Sequence, residues 1–178
     1  VPLATGRGKY FPNDGVIDPA GLLVSYLRGQ EVRCGAAVRA WLQRERGRLA
    51  PHVLSEDVYR ACHTLAGSSR MAEARHGIRL AEPLNHWLRK SFDSGVGLDE
   101  SDLELLGDCM VAMEAVTGHL EESTGYFVMH DTLRGRIART EAELERRIGE
   151  AGELASSTGL HPVLSASSVA PPEAPALQ

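Results

Sequence analysis

Long apolar runs are missing from this chain. Hydrophobic residues make up 43% of its 178 positions, yet no stretch approaches the ~20 consecutive apolar residues that a membrane span needs. No charged-then-apolar signal segment opens the sequence either, so neither membrane insertion nor export is expected, and the cytoplasm is the expected location. Excess positive charge is also lacking. Nineteen Lys and Arg stand against 24 Asp and Glu, for a net charge of −5, and the basic residues are scattered among acids, which argues against a nucleic-acid surface. Cysteine is sparse. Cys34, Cys62 and Cys109 form an odd set without close spacing, which points to reduced thiols packed in a core rather than to a disulfide framework or zinc.

The equipment of several enzyme classes is absent as well. There is no phosphate-cradling glycine loop, no carboxylate pair for magnesium and no ATP-binding pattern. His52, His76, His86, His119, His130 and His161 show none of the i, i+3 or i+4 pairings of a helical metal site, so no metal is expected. Thr64 and Ser69 lack the glycine-flanked strand-to-helix turn of a hydrolase nucleophile.

What the chain has is helical periodicity. Residues 1–17, with TGRGKY and PNDG, carry no period and read as a leader or linker. Asp18-Pro19 is an N-cap followed by proline at the first helical position. Leu22, Leu23, Tyr26 and Leu27 form an apolar face up to Gly29, where a break or bend is expected. A run over about 30–46 follows, with Val32, Ala36, Val38, Trp41 and Leu42 as core candidates. After the Pro51 loop, Ser55 with Glu56 and Asp57 opens a helix that His76-Gly77 is expected to end. A helix over about 78–92 points Ile78, Ala81, Leu84, Leu88 and Phe92 inward, with Pro83 expected to kink it. Asp99 caps the next, whose broad stripe includes Leu103, Leu106, Met110, Met113 and Val116. Short connections between such runs predict an all-α, antiparallel up-down four-helix bundle with its core over about 18–122. A fifth run, about 126–155, carries Phe127, Leu133, Ile137, Leu144 and Ile148 amid alternating charge. That narrow strip suits an additional peripheral helix, which extends the helical domain to 18–155. The Ser-, Pro- and Ala-rich residues 156–178 read as a flexible linker, and with Val at the first position the chain reads as part of a longer protein.

The stretch Ser55–Ala74, SEDVYRACHTLAGSSRMAEA, organises the rest. At 3.6 residues per turn Val58, Ala61, Cys62, Leu65, Ser69 and Ala72 share one side, while Tyr59, His63, Gly67 and Arg70 fall about 100° away. The imidazole is therefore expected off the core. Gly67 costs roughly 1 kcal/mol against alanine in a helix interior, which suggests that another surface approaches the backbone there.

His63-Thr64-Leu65-Ala66-Gly67-Ser68-Ser69 resembles the phosphoacceptor motif of histidine-containing phosphotransfer (HPt) domains, written H-x-x-K-G-S/A-S/A. Arg70-Met71-Ala72 and Leu80-Ala81-Glu82-Pro83-Leu84 more narrowly resemble HPt modules of the chemotaxis-type hybrid histidine kinases that control type IV pili and twitching motility. The resemblance covers about residues 18–122. It implies that His63 Nε2 takes a phosphoryl group and exchanges it with an aspartate of a response-regulator receiver domain. It also implies a kinase catalytic domain as partner, Mg²⁺ brought by the receiver, and no cofactor of the chain's own. Gly67 would admit the partner's rim, Ser68 would hydrogen-bond near the imidazole, Thr64 would support the site and Tyr59 would mark the docking surface. The family lysine is Ala66 here, so Arg70 would have to supply positive charge. The runner-up is a degenerate HPt-like docking or scaffold domain without phosphotransfer.

Overall fold

The computed structural model describes residues 18–120 and 130–157. They form α1 (Pro19–Glu45), α2 (Glu56–Met71), α3 (Arg75–Ser94), α4 (Glu100–Gly118) and α5 (Asp131–Ser157). There is no strand among the described residues; His52 and Leu98 only exchange two backbone hydrogen bonds of 2.8 Å as an isolated bridge. The expected leader at 1–17 lies outside the described residues, as do Tyr126, Phe127 and residues 158–178. Ser156 and Ser157, expected in the linker, complete α5.

Helix starts follow local chemistry. The Asp18 carboxylate accepts from the Ala20 amide at 3.1 Å, with Pro19 at the first position. Asp99 and Asp102 form a reciprocal capping box, each carboxylate accepting the other's backbone N–H at 2.9 Å. Ser55 opens α2, but its buried hydroxyl makes no cap bond. Glu56 and Asp57 instead place negative charge against the exposed N–H groups of the first turn.

Four expectations are corrected. Gly29 does not divide the first helix, because Leu27, Gln30, Cys34, Val38 and Trp41 continue one buried stripe through it. Packing along that stripe outweighs the roughly 1 kcal/mol glycine penalty. Val32 and Ala36 are exposed, since two residues along a helix is about 200° from Cys34. Leu22 and Tyr26 are exposed too. His76-Gly77 does not end α2, which stops at Met71; Ala72, Glu73 (φ 51°) and Ala74 make the turn. Gly77 instead lies at the start of α3 against α2, where a Cβ would sit 3.2 Å from Ser69 Oγ. Finally, the inward face of α3 is wider than expected. Leu80 and Trp87 are fully buried with Ala81, Leu84 and Leu88, while Ile78 and Phe92 are half-buried, because α3 touches α2, α4 and α5 at once. Pro83 lies inside α3, which continues to Ser94.

The core collects these faces. α1 packs on α2 and α4, α2 on α3, and α3 on α4. The α4 stripe is buried as expected, including Met110 and Met113. α5 adds only Ile137 and Leu144 to the interior, lying against α3 and α4. Ion pairs flank that strip. Lys90 of α3 meets Glu141 at 2.5 Å and also Glu145, and Arg147 meets Asp102 at 2.8 Å. Cys34, Cys62 and Cys109 are free and buried, and burial pushes the Cys109 thiol up to about 12. Within the described residues, no helix is long and apolar enough to cross a membrane.

Candidate functional site

α2 presents His63 to solvent because its neighbours in the register do not. Val58, Cys62, Leu65 and Ser69 are buried, and His63 stands about 100° round the axis from Cys62, exposed at mid-helix. Its Nδ1 lies 3.3 Å from Oδ1 of Asn85 on α3. An amide oxygen only accepts, so this contact puts the ring proton on Nδ1 and leaves the lone pair on Nε2. Asn85 was not among the sequence candidates. Glu82, Asn85 and Arg89 do recur at spacings of three and four, a polar stripe along α3, but which residue of α2 that stripe meets is set by the packing of two helices.

Tyr59 stands one turn before His63, its ring centroid 5.9 Å from the imidazole. It also stacks on Phe92 of α3 at 4.6 Å and 9°. This places Tyr59, half-buried, in the α2–α3 seam and gives the histidine an aromatic wall on its N-terminal side. Gly67 closes the other side with nothing: beyond its own helix backbone and adjoining residues, a Cβ there would meet no atom within 4 Å. The surface beside the imidazole is therefore open backbone.

The remaining sequence candidates are arranged differently. Ser68 is buried, and its hydroxyl donates to the Thr64 carbonyl at 2.7 Å rather than to the imidazole. Serine inside a helix readily bonds the carbonyl one turn back. Thr64 does the same, donating to the Arg60 carbonyl at 2.9 Å. Arg70 lies seven residues from His63, roughly 10 Å along the axis on the same face, and its guanidinium holds Glu82 at 2.5 Å. Arg60 is likewise paired with Glu56 and Arg89 with Asp93. Ala66 is buried, so the position at which the resemblance would put a lysine points into the protein.

A second polar cluster lies at another place. The His52 ring is fully buried between Glu45 and Glu100, with Nδ1 and Nε2 each 3.1 Å from a carboxylate oxygen. A cleft of about 360 Å³ beside it, lined by Leu42, Arg46, Glu100, Leu103, Glu104 and Gly107, shares no residue with the His63 surface. Among the described residues no three His, Cys, Asp or Glu side chains converge as a metal site would require. No protein-family model, curated protein or solved structure matches this chain.

Proposed function

We propose that the chain is a phosphotransfer module in which His63 carries a phosphoryl group between larger signalling domains. The observation that carries this reading is the exposed imidazole whose Nδ1 meets Asn85 Oδ1 at 3.3 Å, a contact that leaves the lone pair on Nε2, next to the open space at Gly67. The helix contacts support it. α1, α2, α3 and α4 touch in sequence and α4 returns to α1, the ring expected of an antiparallel up-down four-helix bundle, with α5 outside it.

In this reading the Nε2 lone pair attacks the phosphorus of an aspartyl phosphate in line, an N–P bond forms, the P–O bond breaks and the aspartate leaves as carboxylate. The ring gains positive charge as it does so, which strengthens the Nδ1–H bond to Asn85. Such transfer depends on position and charge stabilisation. The receiver domain supplies Mg²⁺ and most of that charge; this chain supplies the oriented nucleophile. The Arg70–Glu82 pair is exposed, and such pairs are worth about 0–1 kcal/mol, so Arg70 can turn toward a phosphoryl group at small cost. A second reading, partner docking without transfer, is favoured by one observation. Every arginine named around His63 is engaged by a carboxylate and Ala66 is buried, so none of these positions directs a cation at the imidazole.

Incubation with a phosphorylated receiver domain or a histidine kinase separates the two readings. Transfer predicts acid-labile, base-stable label that disappears in His63→Gln, and Asn85→Ala should slow labelling by about tenfold or more by releasing the ring from its tautomer. Label that persists in His63→Gln, or binding of the donor without label, overturns the phosphotransfer reading.

A further inference from the structure

Away from His63, α1 and α2 bring two thiols together in the core. Cys34 Sγ and Cys62 Sγ are 3.3 Å apart, and Cys34 also contacts Met110 Sδ of α4 at 3.8 Å. The two cysteines are 28 positions apart in sequence, so the juxtaposition belongs to the fold. Cys109, on the same helix as Met110, is also buried and free, outside the Cys34–Cys62–Met110 sulfur contacts.

We propose that Cys34 and Cys62 are an oxidisable dithiol, a modification site at which two-electron oxidation by a hydroperoxide ties α1 to α2 through a disulfide. One sulfur attacks the peroxide, the O–O bond breaks, and an alcohol or water leaves a sulfenic acid. The second sulfur attacks that sulfenic sulfur, the S–S bond forms and water leaves. Two electrons pass from the dithiol to the peroxide. A disulfide needs about 2.05 Å between sulfurs, so each sulfur must move by well under 1 Å. Both side chains are buried, and hydrogen bonding to Cys34 together with burial holds the Cys62 thiol well above its usual range, so reaction waits on opening of the α1–α2 seam. The bond would close a loop across the Pro51 connection and anchor α2 one residue before His63. The inference does not depend on phosphotransfer.

The test is oxidation of the intact chain with hydrogen peroxide, in buffer and in urea below the unfolding midpoint, followed by intact mass and non-reducing peptide mapping. Expected are loss of two hydrogens, a peptide cross-link between Cys34 and Cys62, Cys109 left free, faster reaction in urea, and an oxidised form melting about 10 °C higher. Cys109→Ser should behave as the wild type. A cross-link through Cys109, oxygen addition without S–S formation, or an oxidised form that melts lower than the reduced one overturns the proposal. Because mapping uses the wild-type chain, it does not rely on Cys34→Ser folding.

Discussion

Gly67 separates what the fold needs from what the proposed transfer would need. Its position in mid-helix costs roughly 1 kcal/mol relative to alanine, and the fold makes no use of the space, since a Cβ would meet nothing within 4 Å. Gly67→Ala should therefore raise the stability of the isolated chain by about 1 kcal/mol in urea titration, and under the proposed phosphotransfer it should slow exchange with a receiver by about tenfold as the methyl intrudes on the docked surface. Equal transfer rates in the two proteins would remove Gly67 from the interface. The glycine and the histidine were legible in sequence because both lie on one helix, where period alone assigns the face. Asn85 was not, because its meaning depends on the other helix that it meets. Ser68 was misplaced for a related reason: its proximity in sequence to His63 hid a hydroxyl that bonds the backbone of its own helix.

Between elements, the cluster at His52 joins the end of α1 to the start of α4. The hydrogen bond that the ring donates to Glu45 raises the His52 pKa above its ordinary value of 6.5, burial works against it, and the hydrogen bond to Glu100 adds to the rise. Folding therefore favours the protonated ring. The stabilisation is full below the unfolded value and is lost as pH climbs through the folded one. Chemical denaturation followed from pH 6 to pH 9 should show stability falling with pH from this group, and His52→Gln should flatten that part of the curve. An unchanged slope in the variant would show that the titration lies elsewhere. Sequence placed His52 in the loop around Pro51 with no partner at metal-site spacing. Its two carboxylates come from positions 45 and 100, and only the closing of the loop against Leu98 brings them to it.

At the scale of the whole molecule, α5 tests how far the cooperative core extends. It contributes two fully buried side chains, Ile137 and Leu144, and a border of ion pairs that includes Lys90 with Glu141 and Arg147 with Asp102. These pairs are partly covered, with the Asp102 carboxylate buried, and they border the apolar strip whose burial joins α5 to α3 and α4. Leu144→Ala should cost about 2–5 kcal/mol and lower the urea midpoint in a single transition. A change under about 0.5 kcal/mol, or a separate early transition, would place α5 outside the unit formed by the other four helices.

The amino-acid order alone determined the helical class, most of the helix starts, the buried stripe of α4, the narrow strip of α5 and the exposure of His63. Each of these follows from a period or a cap that acts within about four residues. Tertiary structure decided the rest: the continuity of α1 through Gly29, the Gly77–Ser69 approach, the pairing of Asn85 with His63, of Cys34 with Cys62, and of His52 with Glu45 and Glu100. Those contacts depend on the rotation and offset of one helix against another. Groups 7 to 48 positions apart, on different helices or on a helix and a loop, meet only when many weak apolar contacts have fixed both, and no local spacing records that outcome.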